Sequence, residues 1–272
     1  MSIDPAPDRQ VLPPPAPGRR HLNEETGLKE YLFREAQLGA DLQDELEKAL
    51  AKFENDGRRN SLELLRQRGI EFRGLVLELG AGTCWFSSEI SKNAGVSRVV
   101  ALDFARNILS RLAPLVMDCT GADAARIQRV VGDFNRLPFP EKAFDFVVMD
   151  AALHHAIRTA AVLEEIRRVL KDEGCFLAIR EPVLPLWRRN LRNKIGVRER
   201  AQGVTENIFS KKEWRAFFAK AQLDVRFIPT RPTHRPARWQ RLKRLAWVLF
   251  IPWLNPCLFG YYYFLARKRR SD

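Results

Sequence analysis

The distribution of apolar residues divides the chain into a helical N-terminal part and a longer part in which strands and helices alternate. Between residues 28 and 68, one helix face is predicted by apolar residues spaced by four, four and three positions: Leu42, Leu46, Leu50 and Phe53. From about residue 73 onward, short runs rich in Val, Ile and Leu predict parallel strands that are buried on both faces. These runs are Leu75–Leu79, Arg98–Leu102, Arg126–Val131, Phe144–Met149 and Cys175–Ile179.

Helical patterns separate these strands, and two more strands follow them. The last of the intervening helices shows its apolar face at Val162, Leu163, Ile166, Val169 and Leu170. Ser210, followed three residues later by Glu213, predicts a capped helix that ends near Ala221. The remaining strands are expected at Asp224–Ile228 and Leu258–Ala266. Regular alternation of this kind predicts an α/β fold with a doubly wound sheet of seven strands.

Composition adds the broad class of protein. A chain of 272 residues with 46% hydrophobic residues is long enough for one α/β domain of about 200 residues with terminal additions. Residues 1–20 are rich in proline and predict a disordered or extended lead, without the basic start and apolar core of a signal peptide. The four cysteines are far apart, which favours a reducing, cytoplasmic location and predicts neither disulfides nor a metal site.

The formal net charge of +13 is concentrated in three basic blocks, at residues 188–200, 231–244 and 267–270. Such blocks attract nucleic acid, anionic lipid headgroups or acidic substrates, and they also occur as plain solvated surface. Charge alone does not decide between these alternatives.

Acidic residues stand at the ends of the first three strands, where open α/β sheets bind their ligands. Glu78 precedes a turn in which Gly80 and Gly82 allow the backbone to approach a ligand closely. Asp103 ends the second strand, where a carboxylate can accept two hydrogen bonds from a ribose diol. After the third strand, Asp133 and Phe134 offer a carboxylate and a ring for the edge and face of an adenine.

Taken together, these residues resemble class I S-adenosylmethionine-dependent methyltransferases, of the small-molecule type found in ubiquinone and menaquinone biosynthesis. Glu78, Gly80 and Gly82 are similar to the family's signature motif, Asp103 to its ribose-binding acid and Asp133 to its adenine-binding acid. Residues 137–139, 144–148 and 163–174 resemble the fourth strand and the turn after the next helix. The resemblance implies a Rossmann-like fold, S-adenosylmethionine as cofactor, and donor contacts at Glu78, Gly80, Ala81, Gly82, Asp103, Phe104, Asp133, Phe134 and Asp150.

The chain departs from the family pattern where Cys84 replaces a third glycine, and the added side chain is expected to crowd the methionine end of the donor. A nicotinamide cofactor would also suit two glycines and an acid after the second strand. Trp85 and the Gly132–Asp133 pair favour the methyl donor instead. In the purely structural alternative, the acids cap helices and the glycines only turn the chain.

Candidate catalytic residues follow the fourth strand. His154 and His155 lie just beyond Asp150, and either imidazole can act as a general base near neutral pH or can simply shape the pocket. Asp150 with His154 as a metal site is a weaker alternative, and we expect no metal. Glu181, after the fifth strand, either faces the acceptor or forms a salt bridge within its loop.

The C-terminal region bears on the acceptor. Residues 245–266 carry no charge and have the length of a membrane span, but Pro252 and Pro256 interrupt them. The basic, tryptophan-containing stretch at 231–257 therefore predicts a helical insertion before the last strand, either a lid on the pocket or a helix on a membrane surface.

The predicted domains are a lead at 1–20, a helical cap at 21–72 and a methyltransferase domain at 73–272. The expected acceptor is a small or lipid-like molecule, methylated at oxygen or carbon, with peripheral membrane contact through the basic C-terminal region. Nucleic acid is not the expected partner, because residues 150–153 lack the Pro-Pro-aromatic segment of base-amine methyltransferases. The alternatives are methylation of protein or RNA, and a non-catalytic donor-binding scaffold at a membrane.

Overall fold

A computed structural model describes residues 11–12, 41–55, 58–184, 207–229 and 261–269. The strands of this part of the chain are β1 (Val11–Leu12), β2 (Gly74–Leu79), β3 (Val96–Asp103), β4 (Ile127–Val131), β5 (Phe144–Asp150), β6 (Leu170–Leu184), β7 (Phe209–Ser210), β8 (Leu223–Pro229) and β9 (Tyr261–Lys268). The helices are α1 (Leu42–Asn55), α2 (Arg58–Gln67), α3 (Trp85–Ser91), α4 (Ala113–Cys119), α5 (Thr159–Val169) and α6 (Lys211–Lys220). A π-helical turn, Ile108–Leu112, leads into α4.

The strands form one sheet in the order β1-β4-β3-β2-β5-β6-β9-β8, with β7 paired to the end of β6. All pairs from β1 to β7 are parallel, whereas β9 runs antiparallel to both β6 and β8. The chain winds outward from β2 through β3 to β4 and then returns to β5 on the other side of β2. The switch point between β2 and β5 opens a crevice at the carboxyl edge, where sheets of this kind bind ligands.

The predicted α/β fold with a doubly wound sheet is confirmed, and each of the seven predicted strands is present. The strand predicted at Cys175–Ile179 is longer than expected, because β6 begins directly after α5 and continues to Leu184. The capping box is formed, since Ser210 Oγ accepts from the Glu213 amide and the Glu213 side chain accepts from the Ser210 amide. The two-residue strands β1 and β7 were not predicted, because two residues are too few to show a periodic pattern.

Two apolar layers cover the two faces of the sheet. Leu77, on one face of β2, packs in the layer that contains α5 and α6, while Val76, on the other face, packs in the layer that contains α1, α3 and α4. In α1, Leu46 and Phe53 are buried, and Leu42 and Leu50 pack partly buried against the same layer. The predicted helix face is therefore the one that holds α1 on the sheet.

Several predictions fall on residues outside the described part of the chain. These are the basic block at 188–200, the insertion at 231–257 and all of the N-terminal lead except Val11–Leu12, which pair with Arg129 and Val130 of β4. Of the stretch predicted as the last strand, only residues from Tyr261 onward are described. Within the described ranges, no helix combines the length and the apolar character that crossing a bilayer requires.

Candidate functional site

A cavity of about 380 Å³ lies at the carboxyl edge of the sheet, at the switch point. Its size is within the roughly 300–1,000 Å³ that is typical of small-molecule sites. Most of the predicted site residues line it: Glu78, Gly80, Ala81, Gly82, Asp103, Phe104, Phe134, Asp150 and His155. The sheet thus brings together residues at the carboxyl ends of four different strands, β2, β3, β4 and β5.

The glycine turn after β2 forms the floor of this cavity. Gly80 has a φ of +71°, and a Cβ there would lie 2.9 Å from the Cβ of Ala152, so both conformation and space require glycine. Gly82 also has a positive φ, of +49°, with open space around it. The backbone can therefore approach a ligand closely along this turn.

Cys84 does not crowd the cavity, which corrects the expectation from the sequence. The residue adopts a left-handed backbone with a φ of 58°, and its side chain is fully buried in the apolar layer on the α3 side of the sheet. The thiol therefore belongs to the core, and burial holds its pKa well above the ordinary value. Cys84 thus adopts the left-handed backbone conformation at a position where the family pattern has a third glycine.

Asp103 is fixed at the end of β3 by two backbone amides. Its Oδ2 accepts from the Gly82 amide and its Oδ1 from the Ala105 amide, both at 2.8 Å. A carboxylate oxygen can accept more than one hydrogen bond, and Asp103 lines the cavity. The same carboxylate also ties the glycine turn of β2 to the end of β3.

Glu78 lies beneath the turn and is almost completely buried, with 1% of its surface exposed. Its Oε2 accepts hydrogen bonds from the amide and the hydroxyl of Ser87, near the start of α3. Burial raises its pKa to about 8, with smaller contributions from Asp150 and Asp103, while the bonds from Ser87 act in the opposite direction. Burial therefore favours the protonated form of Glu78.

A chain of polar contacts links the end of β5 and Arg180 of β6 to the start of α3. Arg180 donates from Nε and Nη2 to the two carboxylate oxygens of Asp150, at 2.7 Å each. The indole Nε1 of Trp85 donates to Asp150 Oδ2 at 3.0 Å. All three residues line the cavity. Sequence reasoning missed the roles of Arg180 and Trp85, because Asp150 is distant from both in the chain.

A β-bulge directs two consecutive residues of β6 toward the end of β5. Between the pairs Ala178–Phe264 and Glu181–Tyr262, β6 contains one residue more than β9. Arg180 occupies the bulge with a φ of +57°, a left-handed conformation that a non-glycine residue seldom adopts. Strained residues of this kind concentrate at functional sites, where the surrounding structure holds them in place.

Glu181 organises the turn after β5 and does not line the cavity. Its Oε1 accepts from the amides of Ala152 and Leu153, at 3.1 and 2.9 Å. Its Oε2 accepts from the His154 amide at 3.1 Å and lies 2.8 Å from His154 Nδ1. The side chain is completely buried. Both roles considered from the sequence placed Glu181 in a loop after the fifth strand, whereas the structure places it within β6, with its side chain bonded to the turn after β5.

Two predicted site residues lie outside the cavity lining. His154 is 7% exposed and is held by Glu181, with its ring centroid 4.1 Å from that of His155, which does line the cavity. Asp133 is exposed, and its Oδ1 accepts from the amide and the side chain of Asn135. Contacts of Asp133 with an adenine and of His154 with an acceptor therefore stay predictions.

One wall of the cavity comes from α1, far from the motifs that the sequence revealed. Glu45, Lys48, Ala49 and Lys52 line it, at spacings of three, one and three residues, which is a single helix face. The remaining lining residues that were not predicted are Thr83, Ile108, Leu112, Ala151 and Ala152. A helix face with mixed charge and no motif offers no sequence signal for a ligand site.

Comparison with known proteins gives one family match and several relatives. Residues 77–178 match the family model described as methyltransferase domain. The demethylmenaquinone methyltransferase of Listeria monocytogenes is 31% identical over 136 residues, which cover 48% of this chain and 54% of that protein. The chain thus spans about half the length of this curated relative.

Solved structures share the fold. The YcgJ protein of Bacillus subtilis superposes with a TM-score of 0.57 at 19% identity, covering 78% of this chain and 100% of that one. The phosphoethanolamine N-methyltransferase 2 of Haemonchus contortus, in complex with S-adenosylhomocysteine, has a TM-score of 0.54 at 17% identity and covers 78% of this chain and 53% of that one. At 19% and 17% sequence identity, these two structural similarities show only that the fold is shared.

Proposed function

We propose that this chain, whose residues 77–178 match the methyltransferase domain family, is a class I S-adenosylmethionine-dependent methyltransferase that transfers a methyl group from S-adenosylmethionine to a small or lipid-like acceptor. The observation that carries the proposal is the convergence of the glycine turn, Asp103 and Asp150 on one cavity at the switch point of the sheet. The nicotinamide alternative is less well supported, because Trp85 stands at the start of α3 where the dinucleotide fingerprint needs a glycine.

The residues around the cavity fit the donor. Asp103 would accept hydrogen bonds from the ribose hydroxyls, and Phe104 and Phe134 would contact the adenine ring. Gly80 to Gly82 would lie along the methionine part, where the missing side chains leave the backbone accessible. The acceptor would approach from the side of Asp150, Ala151, Ala152, His155 and Arg180.

The bound donor would supply a methyl carbon on a positively charged sulfur, which departs readily with the electrons of the broken bond. The protein's main task is therefore to align the acceptor atom with that carbon, and such alignment can lower a barrier by roughly 7–11 kcal/mol. The Asp150–Arg180 pair and the turn held by Glu181 fix the acceptor side of the cavity before any ligand arrives.

For an acceptor that is a hydroxyl, His155 is the residue of the His154–His155 pair that would take the proton, because it lines the cavity. General base catalysis contributes about 10²- to 10⁴-fold to a rate. His155→Ala should lower the turnover of a hydroxyl acceptor by a factor in that range, and unchanged turnover would show that no base is needed there.

The acceptor we propose is apolar and methylated at oxygen or carbon. The name of the Listeria relative supports a quinone-like ring as the acceptor. The uncharged stretch at 245–266, preceded by a basic block, supports a lipid-like molecule and peripheral contact with a membrane. Methylation of protein or RNA and a non-catalytic scaffold at a membrane remain the alternatives to be tested.

Donor binding tests the core of this proposal. Titration calorimetry should detect binding of S-adenosylmethionine to the wild type. Asp103→Asn should weaken it by about 10- to 100-fold, the equivalent of one charged hydrogen bond of about 1.5–3 kcal/mol. Asp118→Asn, at an exposed site on α4, is the matched control and should bind normally. Equal affinity of the Asp103→Asn variant would refute the assignment of Asp103.

The acceptor can then be found with radiolabelled donor. Purified protein is incubated with labelled S-adenosylmethionine and an extract of the source cells, and the extract is separated into organic, aqueous and macromolecular fractions. Label in the organic fraction supports a lipid-like acceptor. Label in protein or RNA redirects the search to macromolecules, and donor binding without transfer to any fraction favours the non-catalytic scaffold.

A further inference from the structure

The face of α1 that lines the cavity is set by the way the helix packs. Leu46 and Phe53 enter the core, so the adjacent face, which carries Glu45, Lys48 and Lys52, is turned along the cavity. This arrangement follows from helical periodicity, because residues three, four and seven positions apart share a face. The side chains of Lys48 and Lys52 therefore line a cavity whose other charged side chains are mostly acidic.

The C-terminal half of α1 lies beside the start of α3, the helix that follows the glycine turn. The ring of Phe53 packs 5.6 Å, centroid to centroid, from the ring of Trp85, the first residue of α3. The indole of Trp85 in turn donates to Asp150. Lys52 immediately precedes Phe53 and lines the same cavity as Trp85 and the glycine turn, along which the methionine moiety of the donor would lie.

The cations that line the cavity differ in their existing partners. Lys48 pairs with Asp44 at 2.6 Å and with Glu45 at 2.9 Å. Arg180 uses Nε and Nη2 for Asp150. Within the described ranges, Lys52 has neither an ion pair nor a side-chain hydrogen bond. Lys52 is therefore the lining cation whose ammonium is available to an anionic group of a ligand.

The donor carries such a group, the carboxylate of its methionine moiety. Asp103 also lines the cavity, and its negative charge disfavours a further carboxylate unless a cation offsets it, whereas the charge of Asp150 is already paired with Arg180. We propose that Lys52 of α1 binds the carboxylate of S-adenosylmethionine, so that the N-terminal helix forms part of the donor site. The inference rests on the proposed function, because it assigns a residue to the same donor.

A pair of donors that differ only in this group gives a direct test. Titration calorimetry compares S-adenosylmethionine with decarboxylated S-adenosylmethionine in the wild type, in Lys52→Met and in Lys52→Arg. Lys220→Met is the matched control, since Lys220 also stands exposed in the last turn of a helix, outside the cavity lining. A merely structural role of Lys52 at the end of α1 would change stability and not the ratio of the two affinities.

We expect the wild type and Lys220→Met to bind S-adenosylmethionine about 3- to 10-fold more tightly than the decarboxylated donor, as for a partly exposed ion pair. Lys52→Met should lose this preference, and Lys52→Arg should keep most of it. A Lys52→Met variant that retains the wild-type preference would overturn the inference while leaving the proposed function intact. Failure of the wild type to bind either donor would overturn both.

Discussion

Replacing Glu181 by Gln removes one negative charge from the most completely satisfied carboxylate near the candidate site. The side chain is fully buried, and each of its oxygens has two donors: the Ala152 and Leu153 amides at Oε1, and the amide and ring nitrogen of His154 at Oε2. Glutamine has nearly the same shape, so the substitution changes hydrogen bonding and charge while leaving the packing almost unaltered.

The expected cost follows from these four contacts. A glutamine amide keeps one acceptor oxygen, which can retain two donors, and its NH₂ group faces the other two. The Oε2 contacts to a carboxylate are of the charge-assisted kind, worth about 1.5–3 kcal/mol, and a buried donor without an acceptor costs about 1–3 kcal/mol. We therefore expect the free energy of unfolding to fall by about 2–4 kcal/mol, with the turn before His155 loosened.

Urea denaturation at neutral pH measures this difference, and hydrogen exchange at the amides of Ala152 to His154 reports the turn directly. The matched control is Glu164→Gln, on the exposed face of α5, which should change stability by less than about 0.5 kcal/mol. If Glu181→Gln unfolds at the wild-type urea concentration and its turn exchanges no faster, the carboxylate does not hold the turn and the reasoning is refuted.

Three further changes test other parts of the site. Gly80→Ala adds a Cβ 2.9 Å from the Cβ of Ala152 at a φ of +71°, so stability should fall by at least about 1–2 kcal/mol and donor binding with it, as thermal melts with and without S-adenosylmethionine would show. Trp85→Phe loses the 3.0 Å bond to Asp150 and should cost about 1–3 kcal/mol in urea denaturation; an unchanged midpoint would mean that the bond contributes nothing. Glu78 has a pKa of about 8 in the folded protein against an ordinary value of 4.5, so the folded state binds more protons than the unfolded state between these values. The free energy of unfolding should therefore decline from about pH 4.5 to 8, and Glu78→Gln should flatten that slope in denaturation curves measured at several pH values.

Local patterns in the sequence were sufficient for the fold and for half of the site. The seven long strands, the capped helix α6 and the apolar face of α1 each follow from residues that are close in the chain. The glycine turn and Asp103 could be located in the same way, because both stand directly after a strand. Parallel strands end at a common edge, so residues that follow different strands meet there without any further information.

The tertiary structure alone decided what forms the walls of the cavity. Cys84 turns into the core instead of the cavity because its left-handed backbone leads straight into α3. The places of Arg180 and Glu181 depend on a bulge that exists only in the register of β6 against β9. Lys52 lines the cavity because α1 packs its apolar face on the sheet. The residues next to Lys52 in the sequence do not indicate that position. Contacts of this kind join residues that are far apart in sequence, and only the folded sheet brings them within reach of one another.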